Sequence, residues 1–369
     1  MNGQARQVQI HGGDSLGLVG SEMCIRDRIH GGDIYRNRNA TDYSVNSNPL
    51  GPPDAVLEAL HEHAGDIVHY PDICCQELKE AIGRFEGVSS GEIICGNGAA
   101  ELFFAAVLAV RPKKALLLAP SFAEYARALV ASGSDIRYYR LTQSDGYRVK
   151  EDILGEITKD IDMMFLCNPN NPTGELTDKP LLFRILDKCR ACGVLLVLDE
   201  CFLDFLPKPH KYEMAGARGT YPNLLLIKAF TKIFCMPGLR LGYGISSDEG
   251  LLSRMADAIQ PWNVSVLAQA CGVAALKDCG EYLEETRDYV ENEKKDLIEV
   301  LSGKGYPVFG SKANYIFFQA KEGLYEEALK EGFLIRDCGN YEGLAPGYYR
   351  IAVRTKEENE RMAAWLRRL

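Results

Sequence analysis

Between residues 80 and 260 the chain switches repeatedly between two textures. Short, continuously apolar runs stand at 115–120 (ALLLAP), 135–141 (DIRYYRL), 162–168 (DMMFLCN), 194–200 (VLLVLDE), 223–230 (NLLLIKAF) and 239–245 (LRLGYGI). Helical patterns such as FAEYARALVASG and KPLLFRILDKCRACG lie between several of them. A strand that is apolar on both sides must be covered on both faces, and helical crossovers provide that cover. The alternation therefore predicts an α/β fold with a mostly parallel central sheet flanked by helices. In such sheets ligands bind beyond the carboxyl ends of the strands, and the polar motifs of this chain fall at those ends.

After about residue 270 the pattern changes. Long charged helices at 280–303, 322–332 and 356–369 alternate with NYIFFQ, FLIRDC and YYRIAV, which reads as a smaller α+β unit. The expected division is an extraneous segment at 1–28, an N-terminal arm at 29–70, a large domain at 71–265 and a small C-terminal domain at 266–369. A chain of 369 residues suits two domains.

Charge and cysteine usage narrow the setting. A net charge of −9 weighs against a nucleic-acid or anionic-membrane surface as the main partner. The sequence holds no run of about 18 apolar residues, the length a spanning helix needs, and MNGQARQVQ has no apolar leader core. Twelve cysteines are scattered without a disulfide rhythm, and Cys189 and Cys192 form a lone CxxC that reads as two thiols on a helix. No metal site is expected, and a reducing cytoplasm fits this usage.

Chemistry concentrates in KAFTKIFCMPGLRLGYG at 228–244. Lys232 follows an apolar strand, where lost solvation lowers the pKa of an amine and makes it a nucleophile toward an aldehyde. Arg240 stands eight residues on and can meet a phosphate. LCNPNNPTG (166–174) ends a strand in a Pro/Asn/Gly turn that places Asn171 at the sheet edge. VLDECFLDF (198–206) ends another with Asp199 among apolar neighbours. GNGAAELFFAAV (96–107) is a Gly-rich turn that opens a helix, whose free N–H groups suit an anion.

In order and spacing, GNGAAE, PSFAEY, NPNNPTG, LDE, TK and GLRLGY resemble the fold-type I pyridoxal-phosphate enzymes of the aminotransferase class I/II superfamily, over residues 29 to 369. The resemblance implies pyridoxal 5′-phosphate as cofactor. Lys232 would hold its aldehyde carbon covalently and move protons, and Asp199 would keep the pyridine nitrogen protonated. Asn171 would donate to the phenolic oxygen, and Phe122 would stack on the ring. Gly98, Ala99, Ala100, Thr231 and Arg240 would grip the phosphate. Tyr70 matches a tyrosine that reaches a neighbour's phosphate, which implies a homodimer with shared active sites. Where the family usually has Ser or Thr three residues before the lysine, this chain has Ala229.

Two groups within the superfamily share these motifs, the threonine-phosphate decarboxylases of cobalamin biosynthesis and the histidinol-phosphate aminotransferases. Both act on phosphorylated amines, so a second anion site is expected. Arg336 and Arg350 resemble their substrate-clamping arginines. HGGD ahead of DYSVNSNPLGPP, together with PSFAEY, resembles the decarboxylases, in which His30 would reach the substrate phosphate.

HGGD occurs twice, at 11–14 and 30–33. Only the second copy runs into the arm that the family resembles, and deleting 14–32 would leave QIHGGDIYRN without a scar. His30 is therefore the expected site histidine, and residues 1 to about 28 are an expected passenger.

Overall fold

A computed structural model describes residues 30–369, so His11 and the expected passenger segment lie outside the described residues. Thirteen strands are numbered in chain order: β1 Thr41–Asp42, β2 Ile93–Gly96, β3 Lys114–Ala119, β4 Asp135–Arg140, β5 Met163–Cys167, β6 Leu195–Asp199, β7 Leu224–Ala229, β8 Gly242–Ile245, β9 Val308–Phe309, β10 Tyr315–Gln319, β11 Phe333–Leu334, β12 Arg336–Asp337 and β13 Tyr348–Ala352.

The large sheet has seven strands in the order β2-β8-β7-β6-β5-β3-β4. Strands β7, β6, β5, β3 and β4 run parallel, while β8 is antiparallel to both β7 and β2. The apolar runs have the physical cause the sequence suggests. On one face Met164, Leu166, Leu196, Leu198, Leu224 and Leu226 join one core. On the other, Phe165, Val197, Leu225 and Ile227 join a second core with Phe103 and Tyr125. Every second residue thus faces a different helical layer, and truncating any one of these leucines to alanine is expected to cost about 2–5 kcal/mol.

Two local features depart from the sequence reading. The short strand β2, just before the Gly-rich turn, is not distinguished by four residues of pattern. The run LRLGYGI yields a strand only from Gly242, because Met236 to Leu239 form a turn first. The CxxC cysteines do lie on one helix, Lys179–Cys192, which starts on an Asp178 side-chain cap and stops at the left-handed Gly193.

The second sheet has the order β12-β13-β10-β9. FLIRDC divides between sheets: β11 pairs in parallel with β1 of the N-terminal arm, and β12 pairs with β13. The arm is stitched onto this sheet by Tyr43, whose N–H donates to the Leu334 carbonyl at 2.8 Å and whose carbonyl accepts from Ala352 N at 2.8 Å. That pairing carries Ser44–Asn46 to the carboxyl edge of the large sheet, where they line a cavity. Among the described residues no helix is long and apolar enough to cross a membrane.

Candidate active site

The cavity, of about 320 Å³, sits where the carboxyl ends of β6 and β7 meet the arm and the second sheet. His30, Phe122, Asn171, Asp199, Arg336 and Arg350 line it, as do Ala99, Ala100, Thr231, Lys232 and Arg240. Of the residues singled out in the sequence, Gly98 lies against Arg240 just behind that wall. Tyr70 stands apart. It is 79% exposed and packs at a tilt against Trp262, 4.6 Å between ring centroids.

KAFTK contains two lysines, and their surroundings separate them. Lys228 is buried and ion-paired with Glu86 at 2.7 Å and Asp204 at 3.4 Å. Lys232, on the single turn Phe230–Ile233 that follows β7, is half-buried, with its ammonium 5.8 Å above the Phe202 ring. Burial first, then the positive charges of Arg350 and Arg240, push its pKa down to about 8. About a tenth of the amine is then neutral at pH 7, several hundred times the fraction of an ordinary lysine.

Asp199 ends β6 inside the core and is 5% exposed. Its carboxylate accepts the Cys201 N–H at 2.9 Å and the Tyr125 hydroxyl. Burial pushes this carboxyl up and those donors pull it back. A cation facing it, such as a protonated pyridine nitrogen, would favour the ionised form further. Asn171 is buried, and its Oδ1 accepts from Arg350 Nη1, which leaves its amide N–H groups for another acceptor in the cavity. Phe122 presents its ring to the cavity, braced edge-on by Tyr125 at 5.6 Å.

The helix Ala99–Val110 starts at Gly98, φ 81°, with no side-chain cap, so its first N–H groups are open to an anion. The Arg240 guanidinium closes over this turn. A Cβ on Gly98 would stand 2.4 Å from Arg240 Nη2, and one on Gly242 would stand 2.6 Å from Ala99 N. Both glycines therefore allow the close approach that forms the cradle. Ala229 lines the same wall with a methyl group where Ser or Thr would bring a hydroxyl. A partly neutral lysine, an uncapped helix start beside an arginine, a buried carboxylate and an aromatic face together fit pyridoxal 5′-phosphate.

A second cationic group lies on the β12/β13 side of the cavity. Arg336 and Arg350 are both buried and are register partners across the antiparallel pair. Arg336 Nη2 donates to Asn340 Oδ1 at 2.9 Å, and its guanidinium lies 5.1 Å over the Tyr341 ring. Arg350 Nη2 donates to the Ser44 carbonyl at 2.8 Å, while its Nε is buried with no protein acceptor. His30 Nε2 stands 2.9 Å from Glu124 Oε1. Sequence reasoning assigned no role to Ser44, Glu124, Tyr125, Phe202 or Tyr341. PSFAEY marked the segment of Glu124 and Tyr125, but only tertiary packing brings these side chains to the site.

Comparisons with known proteins agree with this geometry. The family model for aminotransferase class I and II matches residues 38–366. The chain is 36% identical to a threonine-phosphate decarboxylase of Salmonella typhimurium, over 94% of this chain and 97% of that one. It is 30% identical to an adenosylcobalamin biosynthesis bifunctional protein of Leptospira interrogans, over 90% of this chain and 40% of that longer protein. The crystal structure of the histidinol-phosphate aminotransferase from Clostridium acetobutylicum superposes with a TM-score of 0.82 at 29% identity, covering 88% of this chain and 97% of that one. The chain belongs to the aminotransferase class I and II family of pyridoxal-phosphate enzymes.

Proposed function

We propose that this protein is a carboxy-lyase that converts L-threonine O-3-phosphate into (R)-1-amino-2-propanol O-2-phosphate and CO2 in cobalamin biosynthesis. The observation that carries this reading is the pair Arg336 and Arg350 on the cavity that also holds Lys232. Two opposed guanidiniums, one with an unused buried N–H, suit a dianionic phosphate on the substrate side chain.

Bound pyridoxal 5′-phosphate supplies an electron sink for the pair of electrons released at the substrate's Cα. The chain's own residues do the rest. Ala99 and Ala100 N–H groups, Thr231 and Arg240 would hold the cofactor phosphate, and Asp199 would pair with the ring nitrogen. Asn171 would donate to the phenolic oxygen, and Phe122 would pack on the ring. Arg336, Arg350 and His30 would hold the substrate phosphate and so fix the substituents at Cα, with the carboxylate bond aligned for loss of CO2, and the Lys232 ammonium would return one proton to Cα. With a pKa near 8, Lys232 is mostly protonated at neutral pH and can act as that acid.

In this reading the enzyme is a cytoplasmic homodimer divided near residues 71–265 and 266–369, and Tyr70 reaches the partner's cofactor phosphate. Its exposure beside Trp262 supports that role. A second reading, a histidinol-phosphate aminotransferase, draws on the high structural similarity to that enzyme. It requires the Cα–H bond, not the carboxylate bond, to stand perpendicular to the ring. Turnover of L-threonine O-3-phosphate with and without 2-oxoglutarate separates the two: acceptor-independent turnover is expected, and strict dependence on an oxo acid would favour the aminotransferase.

A further inference from the structure

We propose that Glu124 is a positioning residue for substrate-anion recognition, seating the His30 ring so that it completes the anion site formed by Arg336 and Arg350. This rests on the substrate reading above. Glu124 stands in the first turn of the helix Ala123–Ala131, two residues after the cavity-lining Phe122, and is 7% exposed. Its Oε1 lies 2.9 Å from His30 Nε2 and 3.4 Å from Arg127 Nη1. The hydrogen bond from His30, ahead of every other influence, holds the Glu124 carboxyl below its ordinary range.

A carboxylate beside a cavity built for anions works against binding unless its charge is answered on the cavity side. Arg127 is largely exposed and lies away from the cavity lining, whereas His30 is part of that lining. Glu124 engages Nε2 of the His30 ring and leaves Nδ1 for a ligand. The pair thus puts the ring between the carboxylate and the cavity.

The Gly-Gly of HGGD makes this seat reachable. A Cβ on Gly31 would stand 2.5 Å from the Ser44 carbonyl oxygen, and Gly32 takes φ +92° while its N–H donates to Ser44 Oγ at 2.7 Å. Ser44 is in turn fixed by Asp42 Oδ1, which accepts its N–H at 2.8 Å and its hydroxyl at 2.6 Å. The Ser44 carbonyl accepts from Arg350 at 2.8 Å. One short segment therefore sets both the His30 backbone and one Arg350 contact, and Glu124 fixes the histidine ring from the opposite wall.

The test uses the holoenzyme and a double-mutant cycle of Glu124→Gln and His30→Gln. With L-threonine O-3-phosphate, Glu124→Gln is expected to raise KM about tenfold, the loss of one charge-assisted hydrogen bond, and to change kcat by less than about threefold. The double variant is expected to be no worse than His30→Gln alone. An unchanged or lower KM, or additive effects, overturns the proposal. Inorganic phosphate, titrated calorimetrically into the same holoenzymes, separates this failure from failure of the substrate reading. If the wild type does not turn over the phosphoamino acid, the reaction assignment fails. A similar loss of phosphate affinity in both single variants still supports Glu124, and equal affinity in wild type and Glu124→Gln overturns it. Should Glu124→Gln not accumulate as folded protein, Glu124→Asp retracts the carboxylate by one methylene and is expected to raise KM likewise. An unchanged KM there is equally decisive against the proposal.

Discussion

Arg336 and Arg350 face each other as register partners on β12 and β13, so two buried guanidiniums share one face of an antiparallel pair. Like charges in that position repel, typically by a few tenths of a kcal/mol up to about 1 kcal/mol, and more where water is excluded. A bound anion turns the repulsion into a clamp. Inorganic phosphate should therefore raise the melting temperature of the wild type by mass action, and Arg350→Ala should abolish that rise. With the phosphorylated substrate the same variant should raise KM about a hundredfold, because it removes charge-assisted contacts in a buried site. An unchanged phosphate-dependent melting shift in Arg350→Ala would remove Arg350 from the anion site.

Attachment of the cofactor to the apoenzyme should follow the ionisation of Lys232. Its folded pKa is lowered to about 8, so the neutral, reactive amine accumulates as pH rises toward 8 and saturates above it. The rate of the absorbance change on adding pyridoxal 5′-phosphate should climb about tenfold per pH unit below 8 and then level off. A rate that kept climbing to pH 10 would mean an ordinary lysine. The same shift has a stability consequence in the apoenzyme. Between pH 8 and the unfolded lysine value the unfolded chain binds the extra proton, so stability should increase with pH across that window. In Lys232→Met that increase should be smaller.

Gly98→Ala should loosen the cofactor without unfolding the protein. The added methyl meets Arg240 Nη2 at 2.4 Å, and the backbone keeps φ near 81° only with strain. The expected result is at least tenfold faster cofactor loss on dialysis, with far-UV circular dichroism unchanged. Retention equal to the wild type would contradict the placement of Arg240 over this turn.

Ala229→Ser should act in the opposite direction. A hydroxyl on that wall can donate to the cofactor phosphate, and one such bond contributes about 1 kcal/mol, roughly fivefold in affinity. The cofactor dissociation constant measured by fluorescence titration should fall accordingly. A constant that rises or stays level would mean that the wall at Ala229 does not face the phosphate.

How far the sequence could be read depended on how local each cause is. The strands β3, β5, β6 and β7 were legible because each is apolar on both faces, a signal carried by five or six consecutive residues. Lys232, Asp199 and Asn171 were legible because strand ends put them at the sheet's carboxyl edge. The strand β2 was not, since its four residues carry no period longer than themselves. Nor were the partners Tyr125 of Asp199 and Glu124 of His30, which lie 74 and 94 positions away in the chain and meet only through packing. The split of FLIRDC between two sheets depends on the arm strand β1, about 290 residues earlier. Of the doubled HGGD, the copy at His30 sets its glycines against Ser44, and the copy at 11–14 lies outside the described residues.

In the proposed reaction the phosphate clamp orients the Cα–carboxylate bond for cleavage and Lys232 returns a proton to Cα. Purified holoenzyme, supplied with carboxyl-labelled L-threonine O-3-phosphate and no oxo acid, should release one labelled CO2 for each aminopropanol phosphate formed, over many turnovers. Label retained in the amino acid, with CO2 absent and amino-group transfer appearing only when 2-oxoglutarate is added, would contradict it.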